Sequence, residues 1–228
     1  MSCYLNYNCK KYKNNECLEN DFCIRKFRED TLFELGLIEP NQRERIPLRV
    51  LPSDSPKEED NFSILSSIEK NILQFVQEGA NLYIYSSTCG NGKTAWSLRL
   101  AQSYLDKIWH NTEITCKVLY ISVPKFLLEL KANISRPSAY IEHIHKYVLG
   151  ADLVIWDDIG SKLGTEFEIE NMLSIINNRL DSNKSNIYTS NVTPENLEQI
   201  LGPRLSSRLL GMSKNINLLG RDKRGLKV

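Results

Sequence analysis

Ser87-Thr88-Cys89-Gly90-Asn91-Gly92-Lys93-Thr94 lies between a short apolar run, Leu82-Tyr83-Ile84-Tyr85, and a helix-patterned one, Ala95 to Ile108. Strand, glycine-rich loop and helix in that order, closed by Gly-Lys-Thr, read as a P-loop that cradles nucleotide phosphates. Glycine lets backbone N–H groups turn inward and approach the phosphates. The helix start behind the loop adds its positive dipole end. Lys93 is the expected contact to the β- and γ-phosphates, and Thr94 the hydroxyl ligand of Mg²⁺. One departure is visible: Ser87 stands where the pattern G-x-x-x-x-G-K-[ST] has its first glycine.

The next decisive stretch is Leu153-Val154-Ile155-Trp156-Asp157-Asp158. An apolar run ending in two acids reads as a buried parallel strand with carboxylates at its C-terminal end. That end of an open α/β sheet is where ligands sit. Asp157 is expected to hold the Mg²⁺ shell and Asp158 to orient or deprotonate the attacking water. Without the P-loop, the same pattern would read as a core strand followed by two solvated acids.

Size and composition bound the rest. The chain has 228 residues, 41% hydrophobic and 25% charged, which suits a globular domain plus a small appendage. Its sequence has neither an apolar run long enough for a membrane span nor a basic-then-apolar N-terminus, so the cytosol is the expected location. Net charge is +1, but residues 202–228 carry seven Lys/Arg against the single acid Asp222. Such a basic tail suits contact with phosphates, of nucleotide or nucleic acid, and equally a solvated face.

Cys3, Cys9, Cys17 and Cys23 are four of the six cysteines and fall in the first 25 residues. In a reducing compartment this clustering favours a structural Zn²⁺ over disulfides. The spacing C-x5-C-x7-C-x5-C is wider than most zinc fingers use. A helix-like stretch runs from Phe27 to Leu37, and residues 38–60 hold four of the eight prolines. The expected organisation is therefore a cysteine-rich module at 1–37, a linker at 38–60 and an ATPase domain at 61–228. Within that domain the pattern predicts one helix from Ile64 to Val76. Five strands follow, near 82–86, 117–122, 153–158, 185–190 and 215–219, with helices between them. Strands alternating with helices imply an α/β fold with a parallel sheet covered on both faces. Trp96, Trp109 and Trp156 read as core.

Three further stretches extend the pattern: Thr189-Ser190-Asn191, then Pro194-Glu195-Asn196-Leu197-Glu198, then Leu201-Gly202-Pro203-Arg204-Leu205-Ser206-Ser207-Arg208-Leu209-Leu210. Together with Asp157-Asp158-Ile159-Gly160, they make residues 61–222 resemble the AAA+ ATPases of the bacterial and phage replicative-helicase-loader family, the DnaC and DnaI type. The cysteine-rich N-terminus resembles the DnaI arrangement. The resemblance implies that Ser87 to Thr94 form Walker A, with Lys93 and Thr94 its functional side chains. It makes Asp157 and Asp158 Walker B and Asn191 the sensor 1 residue that positions the lytic water. Arg208 matches an arginine finger serving a neighbour's ATP, with Arg204 the nearby alternate. On helix geometry alone, the two arginines are a cationic pair four apart on one surface. The chain ends soon after the fifth strand, so no C-terminal lid domain is expected.

The implied function is ATP-dependent loading of a DnaB-type replicative helicase onto single-stranded DNA, with ATP, Mg²⁺ and Zn²⁺ as cofactors. The N-terminal module would hold the helicase, and subunits would associate through their ATP sites. Lys125, Lys131, Arg136 and Lys146 lie in the region that lines the DNA path in that family. Two rivals share part of this pattern. A transposition helper of the IstB type has the same core but typically a helical N-terminal domain. A degenerate ATPase acting as helicase adaptor or inhibitor finds its support in Ser87.

Overall fold

The computed structural model describes residues 21–44, 48 and 55–222. The chain opens with α1 (Asp21–Leu35) and a short 3-10 turn (Pro40–Gln42). Next come α2 (Pro56–Lys70), α3 (Ile72–Gln77) and β1 (Asn81–Tyr85). They are followed by α4 (Lys93–Ile108), β2 (Val118–Ser122), α5 (Val123–Ala132), α6 (Ala139–Tyr147) and β3 (Leu153–Asp157). The chain continues through α7 (Glu166–Asp181), β4 (Ser185–Ser190), α8 (Pro194–Gly211) and β5 (Lys214–Asn217).

The five strands form one parallel sheet in the order β2-β3-β4-β1-β5. Alternation along each strand divides the core. Leu119, Ile121, Val154, Trp156 and Tyr188 pack against Phe126, Ile144, Met172, Ile176 and Leu205 on one face. Val118, Leu153, Ile155, Ile187 and Ile216 pack against Leu32, Leu65, Ile72, Trp96 and Leu100 on the other. β2 and β3, covered on both faces, are apolar along most of their length, whereas β4 also buries Ser185, Asn186, Thr189 and Ser190. Placing β3 between β2 and β4 sets the Asp157 end beside the end of β4 and next to the loop that follows β1.

The opposite end of the sheet is fixed by a buried cation. Arg179 is fully buried, and its guanidinium donates to the carbonyls of Val148 (2.5 Å), Ala151 (2.9 Å) and Ser185 (2.6 Å) and to Asn186 Oδ1 (2.7 Å). Burial pulls its pKa down to about 10, so it still carries its charge near neutrality. Desolvating a lone cation costs several kcal/mol, and four acceptors in fixed geometry offset that cost. The sequence pattern did not signal this residue, because nothing in α7 marks which cation turns inward.

Three elements differ from the sequence expectation. The single helix over Ile64 to Val76 breaks at Asn71, whose backbone leaves the helical region (φ −104°, ψ 27°) while its side chain donates to the Ser67 carbonyl. Side chains of this type compete with the helical ladder. The same helix begins at Pro56, within the expected linker, because Ser55 caps it by accepting from the Glu58 amide. The helix expected within the N-terminal module packs on the ATPase core: Leu32 and Ile38 are buried in it, and Arg28 donates to the Trp109 and Thr112 carbonyls. Cys3, Cys9 and Cys17 lie outside the described residues. Among the described residues no helix is long and apolar enough to cross a membrane.

Candidate functional site

The loop after β1 is shaped by its glycines and by its own polar groups. Gly90 (φ 74°) and Gly92 (φ 107°) adopt left-handed backbone that L side chains rarely tolerate, and Gly92 caps α4. Ser86 Oγ accepts from the Thr88 amide (3.0 Å) and from Asn91 Nδ2 (2.7 Å). Asn91, buried, also donates to the Leu218 carbonyl (3.0 Å), which ties the loop to the chain leaving β5. Lys93 is buried inside the loop, donating to the Thr88 carbonyl (2.8 Å) and Asn91 Oδ1 (3.3 Å). Ser87 and Cys89 are exposed, and Cys89 Sγ comes within 3.8 Å of Asn191 Oδ1.

The acid pair meets this loop. Thr94 Oγ1 donates to Asp157 Oδ1 (2.8 Å), joining the helix start to the end of β3. Thr189 Oγ1 donates to the same oxygen (2.7 Å), and Tyr120 Oη donates to Asp157 Oδ2 (2.7 Å). Hydrogen bonds to a carboxylate are among the strong ones, so this side chain is held firmly. Asp158 takes a left-handed backbone (φ 61°), with its amide donating to Thr189 Oγ1 (3.0 Å). Its carboxylate accepts from Asn191 Nδ2 (2.8 Å). Burial, and then the neighbouring Asp157, raise the Asp158 pKa, while Asn191 and Lys93 oppose the shift. Two adjacent acids therefore face different surroundings, one clasped by three hydroxyls and one accepting from the Asn191 side-chain amide.

The donor set fits a nucleotide with Mg²⁺. Mg²⁺ prefers oxygen ligands and is usually held by one or two carboxylates plus phosphates. Thr94 and Asp157 are oxygen donors of the kind that would hold the ion, and Lys93 is the cation that would meet the phosphates. Among the described residues no group of three or more His, Cys, Asp or Glu side chains is gathered in metal-binding fashion.

Lys93, Thr94, Asp157, Asp158 and Asn191 are thus brought into one cleft. Arg204 and Arg208 are exposed on α8 and make none of these contacts; Arg204 pairs with Glu170 of its own chain (3.2 Å). Lys125 and Lys146 lie over the rings of Tyr140 and Tyr147. Sequence reasoning missed Tyr120, Thr189 and Ser86. A polar-tipped aromatic inside the apolar run Val118 to Ile121, and a hydroxyl two residues before Asn191, were the available signals.

A parallel sheet of this order, with a Lys-Thr P-loop facing an acid pair and a polar residue at the end of the next strand, defines a P-loop ATPase of the AAA+ type. The chain belongs to the bacterial DnaA ATPase domain family, which it matches over residues 63–214, more than half its length. A comparison with curated protein sequences finds no match.

Solved structures share the fold. The DnaC helicase loader is 19% identical with a TM-score of 0.59, over 72% of this chain and 91% of that one. DnaI is 20% identical with a TM-score of 0.60, over 78% and 94% respectively. Domain III of the replication initiation protein DnaA from Thermotoga maritima is 21% identical with a TM-score of 0.59, over 81% and 69%.

Proposed function

We propose that this ATPase loads a DnaB-type replicative helicase onto single-stranded DNA. The observation that carries the reading is the fold likeness to the DnaC helicase loader and to DnaI, which runs through 91% and 94% of those chains. In this reading Lys93 and the loop amides hold the β- and γ-phosphates, while Thr94 and Asp157 hold Mg²⁺. The metal, when bound, neutralises charge on the β- and γ-oxygens. Asp158 takes the proton of the attacking water as the water oxygen bonds to the γ-phosphorus and the bond to the bridging oxygen breaks. Asn191 orients that carboxylate through the bond it already donates. Arg208, or Arg204 in its place, reaches the ATP of a neighbouring subunit.

Cys3, Cys9, Cys17 and Cys23 bind one Zn²⁺, and the segment they fold holds the helicase. Metal analysis of purified protein should find one zinc per chain; well under one, with all four thiols open to titration, removes this part of the reading. The loader reading is tested by capture on immobilised replicative helicase in ATP, followed by helicase transfer to circular single-stranded DNA. Capture and ATP-dependent transfer are expected. Binding to a transposase with no helicase capture would favour the transposition helper, and helicase capture without ATP hydrolysis the adaptor.

A further inference from the structure

Tyr120 belongs to the site and also to the path of the N-terminal segment. β2 is an edge strand, and the chain leaving α1 lies against it: the Tyr120 amide donates to the Gly36 carbonyl (2.8 Å). The approach is close enough that a Cβ on Gly36 would stand 2.5 Å from the Val118 carbonyl oxygen. Further along, the Gln42 carbonyl accepts from Gln102 Nε2 of α4 (2.8 Å), and the Gln42 side chain, whose Oε1 accepts from the Glu39 amide (2.9 Å), is an electrostatic neighbour of the Tyr120 hydroxyl. Leu48 then reaches the P-loop, where a Cβ on Gly92 would be 3.6 Å from Leu48 Cδ2. Described residues of the N-terminal region therefore touch the edge strand beside Tyr120 (Gly36), α4 (Gln42) and the phosphate loop (Leu48).

We propose that Tyr120 is a positioning residue for Asp157 and that the segment Gly36 to Gln42 sets where its hydroxyl stands. Displacing the N-terminal region thereby changes Mg²⁺-dependent nucleotide binding. The proposal rests on the reading of Asp157 as the Mg²⁺-holding carboxylate. Its physical basis is that rotation about the last bond of an aspartate is broad. Thr94 and Thr189 secure Oδ1, while the phenol secures Oδ2 and so fixes the plane of the carboxylate. Tyr120 is held at its backbone by the Gly36 carbonyl, so a shift of that segment moves the strand position from which the phenol reaches Asp157.

The test uses the full chain and a fluorescent ATP analogue, titrated with Mg²⁺ and compared with EDTA. Tyr120→Phe should leave affinity in EDTA within about twofold and raise the half-saturating Mg²⁺ about tenfold, the scale expected for a lost hydrogen bond to a charged group. Gln42→Ala should shift the Mg²⁺ midpoint in the same direction in the native background and have no effect in the Tyr120→Phe background, since coupled residues are non-additive. Melting curves accompany both variants, and Gln42→Ala, at a half-buried position, is read where Tyr120→Phe melts early. An unchanged Mg²⁺ midpoint in Tyr120→Phe, while Asp157→Asn loses the Mg²⁺ dependence, overturns the coupling alone. Additive effects of the two substitutions also overturn it. Wild-type binding that ignores Mg²⁺, or Asp157→Asn that keeps the dependence, overturns the assignment of Asp157 and the coupling with it.

Discussion

Asp158 shows what a single position stores. Its left-handed backbone is uncommon for a residue with a side chain, and conformations of this kind cluster at functional sites. Lys93→Ala should lose nearly all nucleotide binding, while Asp158→Asn should bind ATP and fail to hydrolyse it, as equilibrium binding and phosphate release will show. Burial and Asp157 raise the Asp158 pKa, so its basic form disappears at a higher pH than an ordinary carboxylate's. The acid limb of kcat should therefore lie higher in pH than an ordinary aspartate would set it. Asn191→Ala, which removes a bond favouring the ionised form, should move that limb further up. The same shift has a stability sign. The unfolded chain ionises this carboxyl at its ordinary value, so below that value the shift costs nothing, and above it the ionised group burdens the fold. Asp158→Asn should accordingly melt higher than wild type near neutrality and show no such gain at about pH 3. A lower melting temperature at neutrality would contradict this. The acids themselves were legible in the sequence because they end an apolar run. Tyr120 and Thr189 were not, because their partner lies on a neighbouring strand and adjacency between strands is not written along the chain.

Among the elements, α8 is the one whose break was legible. Gly202-Pro203 interrupts an otherwise helical stretch, and Gly202 sits at φ 79° and ψ 162° between two helical halves. That region is open essentially to glycine alone. A Cβ at Gly202 would meet nothing within 4 Å, so its cost is backbone strain without a clash. Gly202→Ala should destabilise by about 1–3 kcal/mol in urea with an unchanged m-value, or re-aim the half carrying Arg204 and Arg208. Wild-type stability together with wild-type hydrolysis would remove the kink from any role. β3 falls close to where its apolar run placed it, since a strand buried on both faces is marked in composition, and β4 occupies the expected 185–190 although most of its residues are polar. The break at Asn71 was not legible, because the apolar spacing from Ile64 to Val76 continues through it and a side-chain bond ends the helix instead. The packing of α1 on the core was hidden for a related reason: its amphipathic pattern says that it needs a partner, but not which one.

At the scale of the whole molecule, Arg208 stands exposed on α8, apart from the contacts of its own chain's cleft. An arginine supplied in trans contributes ~10³–10⁵ in rate in phosphoryl transfer. Arg208→Ala should leave nucleotide binding by isolated chains nearly intact while abolishing hydrolysis by assembled ones. Mixing it with Lys93→Ala should restore part of the activity, since each chain lacks what the other supplies; a mixture that stays dead where wild type hydrolyses makes Arg208 a cis or structural residue. By itself the sequence determined the α/β fold class and the order of the five strands along the chain, and it pointed to Lys93, Thr94, Asp157, Asp158 and Asn191, which the fold brings into one cleft, because glycine conformation, apolar periodicity and strand-end acids are local properties. The tertiary structure decided which strands are neighbours, that Arg179 turns inward to hold the far end of the sheet, that α1 docks on the ATPase core, and that Asp157 is clasped by Thr94, Thr189 and Tyr120. Those outcomes depend on contacts between residues far apart in the chain, where burial and hydrogen-bond geometry select one arrangement among many that the local pattern allows.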